Sequence, residues 1–164
     1  MSVNVLVRYG RIPEVAKVVA EERRERGDRV IVRTHRGLEL ATVLETLKSS
    51  ATSESDFVVV REATAADQFE FTGLATRAGD EFNAWVQRIG EWKLDLQLVD
   101  LEWTLDREKL ILYVLNERGP ECTRLAIQAA AAGLGIVEVQ PVSAVGLTPK
   151  EKTGGGCGDC GCGH

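Results

Sequence analysis

Two periodicities divide the chain. Over residues 3–7, 14–20, 29–34, 38–44 and 57–60, apolar and polar positions alternate in short runs, the two-residue period of half-buried strands. Five such runs predict a small β-barrel-like subdomain over residues 1–60. Residues 14–26 also allow a helix entered through Pro13, because Val15, Val18 and Val19 fit helical spacing too; the strand is the preferred reading. His35-Arg36-Gly37 reads as a turn between the third and fourth strands, with glycine supplying a conformation other residues avoid.

Beyond a polar stretch at 49–55 the period changes. Thr64 followed by Asp67 has the spacing of a helix N-cap. Phe71, Leu74, Ala78, Phe82, Trp85 and Ile89 then recur at three- and four-residue steps, which predicts one long helix with an apolar stripe. Gly73 and Gly79 each weaken it by about 1 kcal/mol relative to alanine and mark where it can bend or break. A strand follows over 96–105, with Val99, Leu101, Trp103 and Leu105 on one face and Leu98, Asp100, Glu102 and Thr104 on the other. Residues 106–109 turn the chain into a strand over 110–115, then a helix over 121–132 capped by Gly133, then a strand over 136–140. The class is α+β: the barrel-like half, an αββαβ sandwich over 61–148 with helices covering one sheet face, and a Gly/Cys-rich tail at 149–164. Leu101, Trp103, Phe82 and Trp85 are the expected buried seam of the sandwich.

Composition changes this picture little. With 164 residues, 44% hydrophobic and 27% charged, the chain can bury a core as one domain or two small ones. No window reaches the length of a membrane span, and the opening Met1-Ser2-Val3-Asn4 has no charged region followed by an apolar run. The expected location is therefore cytoplasmic, where cysteines serve metal or redox chemistry rather than disulfides. A net charge of −5 opposes chain-wide attraction to nucleic acid, so RNA contact is expected to be weak, indirect or local.

The candidate chemistry lies in the tail. Cys157, Cys160, Cys162 and His164 fall within eight residues, interleaved with glycine. Three thiolates and an imidazole form a soft ligand set suited to zinc or an iron-sulfur cluster, and Cys-x-x-Cys lets two sulfurs reach one metal at about 2.3 Å. Four ligands this close are sterically tight, so a partner chain can be needed to complete the site. A Gly-rich tail with incidental thiols is the alternative. Cys122 reads as a small core residue, with a reserve ligand as its other role. A redox Cys-x-x-Cys belongs at a helix N-terminus in a βαβ setting, which this tail lacks. The run Gly154–Gly156 is no phosphate loop, because no Gly-Lys-Ser/Thr follows.

No catalytic residue is assigned. His35 reads as a solvated loop residue with no nucleophile near it in sequence, and Asp100 and Glu102 read as structural carboxylates rather than an acid/base pair. Arg23, Arg24, Arg26, Arg29, Arg33 and Arg36 fall within fourteen residues. Of these, Arg29, Arg33 and Arg36 are the candidate RNA or partner contacts. Interspersed Glu21, Glu22, Glu25 and Asp28 cancel much of their field, and aromatic stacking residues are absent from the patch.

The segments at 29–39 and 61–67, and above all the run from Leu94 to Tyr113, resemble the polymerase-suppressor-protein (PSP) C-terminal domain family, whose bacterial members include the YaaT/RicT-like stage 0 sporulation proteins. The likeness covers roughly residues 1–160. It implies a non-catalytic cytoplasmic regulator working with other protein subunits, in a complex that carries iron-sulfur clusters and directs ribonuclease Y to particular transcripts; trypanosomatid relatives bind messenger RNA. Family members carry a Gly-Gly then Cys-Gly and Cys-Cys segment where this chain has its tail, and Cys160 and Cys162 are the counterparts of the pair. This chain departs in having no basic residue over 135–141 and a Cys-x-x-Cys-x-Cys-x-His spacing. The expected function is a regulatory adaptor in RNA processing or turnover with a metal-bearing tail. A direct RNA-binding module and a thiol redox or metal-transfer protein are the alternatives.

Overall fold

The computed structural model describes residues 2–48, 55–115 and 119–147. It has mixed α+β content, with two sheets and two helices. The first five strands are β1 (Val3–Tyr9), β2 (Glu14–Ala20), β3 (Arg29–Thr34), β4 (Gly37–Thr46) and β5 (Val58–Glu62). Their pairing runs β1-β2-β5-β3-β4 and returns to β1, closing the sheet on itself. Closure removes exposed edges. The inward positions of alternating strands supply the core: Val5, Val7, Tyr9, Val18, Ala20, Val30, Val32, Ala41 and Val43 are all buried together. Residues 14–20 are strand, not helix. Val18 and Ala20 point into that core while Val15 is exposed, a division that only a two-residue period gives them.

Helix α1 (Ala65–Glu91) opens with the expected cap. The Asp67 amide donates to Thr64 Oγ1 at 3.2 Å, and the Thr64 amide donates back to Asp67 Oδ2 at 2.8 Å, satisfying two donors that a helix start leaves orphaned. Arg61 adds a fork onto the same carboxylate. These donors hold the Asp67 carboxyl well below the usual carboxylate range, the Arg61 hydrogen bond foremost. The helix runs unbroken for 27 residues. Gly73 and Gly79 do not interrupt it, because both lie on the exposed face with open space where a Cβ would stand, while Leu74, Ala78, Trp85 and Ile89 anchor the opposite face.

The second sheet has the order β6 (Gln97–Trp103), β7 (Lys109–Leu115), β8 (Ile136–Ser143) and β9 (Gly146–Leu147), with α2 (Pro120–Ala131) crossing between the parallel strands β7 and β8. A parallel pair needs such a crossover. Strand β7 is buried from Leu110 to Val114 without interruption, the mark of a strand covered on both faces. Leu110, Leu112 and Val114 join Trp85, Ile89, Cys122, Leu125 and Ala129 under the helices. Ile111 and Tyr113 point the other way, with Val142, and Ile12 from the barrel half packs there too.

Three sequence expectations are corrected. Strand β6 does not keep one register: Leu98 pairs with Val114 but Asp100 with Tyr113. Val99 is the extra residue of a β-bulge, which flips alternation beyond it. Leu98 and Leu101 therefore share the core while Val99 is 44% exposed. The expected seam is likewise divided, with Leu101 and Trp85 buried and Trp103 and Phe82 packed at its edge. Strand β8 continues through Pro141 to Ser143 and adds a two-residue hairpin, β9, that the pattern did not reveal. Among the described residues no helix is long and apolar enough to cross a membrane.

Candidate functional site

Two adjoining features stand out: a buried charge cluster where the barrel meets the second sheet, and the exposed face of α1 beside it. The cluster begins with the β3–β4 turn, where Gly37, at φ +134°, sits against the Asp106 carboxylate. A Cβ at Gly37 would stand 2.8 Å from Asp106 Oδ2, so the approach requires glycine. Asp106 Oδ2 accepts the Leu38 amide at 3.0 Å, and the Leu105 amide donates to the Leu38 carbonyl at 2.8 Å. These bonds tie turn to sheet. Hydrogen bonds from Thr104 and from the backbone keep the Asp106 carboxyl lowered against the opposing effect of burial, which is the largest single influence.

The turn drives Arg36 inward. Its side chain is 4% exposed and meets two carboxylates, Glu39 of β4 at 2.8 Å and Glu102 of β6. Nη1 also donates to the Tyr113 hydroxyl at 3.1 Å, and that hydroxyl donates to Glu102. The Arg11 amide reaches the other Glu102 oxygen at 2.9 Å, while Arg11 Nε pairs with Asp100 at 2.7 Å. On the barrel side, Thr34 Oγ1 donates to Glu39 at 2.8 Å. One guanidinium thus serves two buried carboxylates. Burial, reinforced by Glu102 and only partly opposed by Arg36, pushes the Glu39 carboxyl up to about 7. Burial likewise raises the hydroxyls of Tyr9 and Tyr113. Arg36 is held charged by Glu39 and Glu102 against the desolvation that is the largest effect on it.

Outside this cluster, α1 presents Phe69, 83% exposed, and Phe71, 40% exposed. They border two clefts. One of about 300 Å³ is lined by Phe71, Leu74, Ala75, Trp103, Arg11 and Glu102. The other, about 500 Å³, lies between Phe69, Glu70, Gly73, Arg77 and Arg107. The Arg77 guanidinium stacks 4.5 Å over the Trp103 ring, and Arg107 pairs with Glu70 at 2.9 Å. Large apolar side chains beside clefts are the usual dress of an interaction face.

The structure separates the sequence-predicted contacts. Arg33 is exposed, Arg29 is half-buried and Arg36 is enclosed in the cluster, so the three do not form one surface. Arg36 is not available to RNA or to a partner because it neutralises Glu39 and Glu102. Cys157, Cys160, Cys162 and His164 lie outside the described residues. Among the described residues no three His, Cys, Asp or Glu side chains are grouped to hold a metal, and Cys122 is buried in the helix-covered core. His35 stacks on Phe57 and faces Glu138 at 3.6 Å. Asp100 pairs with Arg11, and Glu102, expected to face water, is instead enclosed with Arg36 and Tyr113. Sequence reading missed that Glu102 is the centre of a network reaching Arg36, 66 residues away. Phe69 had a signal: it lies off the stripe of Leu74, Ala78 and Trp85.

The chain is similar to the stage 0 sporulation protein YaaT of Bacillus subtilis (strain 168). The two are 29% identical over 137 residues, which covers 80% of this chain and 48% of that protein. The chain thus spans about half the length of the curated relative it matches. No family model matches the chain, and no solved structure does.

Proposed function

We propose that this protein is a non-catalytic regulatory adaptor that acts in RNA processing or turnover by binding other protein subunits, with the Phe69 side of α1 as its docking surface. The observation that carries the reading is that face. Phe69 stands exposed beside the cleft of Glu70, Gly73, Arg77 and Arg107, off the stripe by which the helix is anchored, and aromatic anchors are what interface centres use. Similarity to a protein named for sporulation supports a regulatory role, and the resemblance to the PSP C-terminal domain family supports RNA metabolism and a cytoplasmic complex.

In this reading Cys157, Cys160, Cys162 and His164 hold zinc or an iron-sulfur cluster. The donor set fits either: thiolates and an imidazole match both, and hard oxygen-seeking cations are excluded. Bound there, the metal would supply a rigid fold for a glycine-rich segment and a surface for assembly.

A photo-crosslinking residue placed at Phe69 in the native host, with mass spectrometry of the adducts, tests the docking face. Defined protein adducts support it; no adduct, or adducts to RNA alone, refute it. Metal analysis of anaerobically purified protein tests the tail. Metal lost in the Cys157→Ser, Cys160→Ser, Cys162→Ser triple variant is the expected result, and metal retained there ends the assignment. A second reading, direct single-stranded RNA binding, draws on Arg77 and Arg107 beside Phe69, since bases stack on aromatics within a basic groove. It would give RNA adducts at Phe69 instead.

A further inference from the structure

Arg36 is the cation between two carboxylates that belong to different halves of the fold. Glu39 comes from β4 of the barrel and Glu102 from β6 of the second sheet. Glu102 is the better satisfied, accepting from Arg36, Tyr113 and the Arg11 amide, whereas Glu39 has Arg36 and Thr34. A void of about 10 Å³ between Gly10, Glu39, Leu40, Phe71, Glu102 and Trp103 has room for about one water. It shares Phe71, Glu102 and Trp103 with the 300 Å³ cleft, which gives Glu39 a short route to solvent protons.

We propose that Glu39 is a proton-operated latch on the barrel–sheet seam. Protonated, it leaves the Arg36 charge to Glu102 and the seam is closed. Ionised, it sets two carboxylates against one guanidinium across the seam, and the halves loosen. Every element around Glu39 contributes to the balance: Thr34, His35 and Arg36 from β3 and the turn, Tyr9 from β1, Glu102 from β6 and Tyr113 from β7. Only Arg36, and His35 when protonated, favour the ionised form by charge; burial and Glu102 favour the proton.

The sign follows from linkage. The carboxyl is raised from 4.5 to about 7 in the folded chain, so the closed seam holds a proton that the open one has released between those values. The stabilisation is complete below about 4.5 and is lost as pH rises through about 7. The seam-opening constant should rise by roughly tenfold per pH unit within that window and level off above it.

The amides of Leu38 and Leu105, which bond across the seam, report the opening. Their hydrogen-exchange protection factors, measured from pH 5 to 8 on the full chain, should fall steeply in the wild type and stay flat in Glu39→Gln, a permanent mimic of the protonated acid. Equal slopes in the two proteins, or a flat wild type, overturn the latch. A carboxyl carbon titration of Glu39 in the wild-type chain stands independently of whether the variant folds: a midpoint near 7 supports the proposal, and one near 4.5 ends it.

Discussion

Replacing Arg36 with methionine tests the seam most directly. Methionine keeps much of the stem's length and apolar volume, so the loss is the guanidinium and its bonds to Glu39, Glu102 and Tyr113. Arg36 is 4% exposed and its partners Glu39 and Glu102 have side chains 6% and 11% exposed, so water cannot take its place. Removing one member of a buried ion pair costs about 3–5 kcal/mol, because the remaining charges are left uncompensated. Against a domain stability of about 5–15 kcal/mol that is a large fraction, and at about 2–4 °C per kcal/mol for a chain of this size it lowers the unfolding midpoint by roughly 6–20 °C. Urea denaturation at pH 7 should show the midpoint fall with the slope unchanged. The deficit should shrink as pH falls below about 7, because Glu39 then carries a proton and needs no cation. A surface arginine would cost within about 0.5 kcal/mol. A deficit below about 1 kcal/mol at pH 7, or one that persists in acid, would refute the buried network.

The bulge in β6 predicts opposite outcomes for neighbours: Leu101→Ala, at a site 1% exposed, should cost about 2–5 kcal/mol, whereas Val99→Ala should be nearly silent in the same denaturation assay. Thr64→Ala removes the cap of α1 and should cost about 1 kcal/mol; the cap should also weaken in strong acid, as pH falls through the depressed Asp67 value, which far-ultraviolet circular dichroism of the helix can follow. Intrinsic RNA affinity should be weak and modestly salt-dependent, because Arg36 is enclosed and Arg11, Arg77 and Arg107 are already paired with acids; tight binding of a single-stranded oligonucleotide at physiological salt in a filter assay would overturn this.

Local order was legible in the chain because it depends on neighbours a few residues away. The alternation at 14–20, 29–34 and 38–44 gave strands in those places, and Thr64 with Asp67 gave the start of α1 to the residue. Where a local rule met a tertiary one, tertiary packing prevailed. Gly73 and Gly79 weaken α1 intrinsically, yet the helix, anchored by its buried stripe, continues through both. Alternation along 96–105 was read as unbroken, and the partner strand β7 imposed a bulge that turned Val99 out.

The arginines at 29, 33 and 36 show the same division at the candidate site. Their sequence spacing says nothing of which one is enclosed, because that depends on Glu102 and Tyr113, 66 and 77 residues further on. The proposed ligand set of Cys157, Cys160, Cys162 and His164 rests on spacing alone, since its chemistry would lie in adjacent side chains. A buried cluster assembled from four strands and a turn cannot be read that way. Its charge balance, and with it the raised Glu39 carboxyl, exists only once the barrel and the sheet have closed over the same guanidinium and excluded the water that would otherwise screen all three charges.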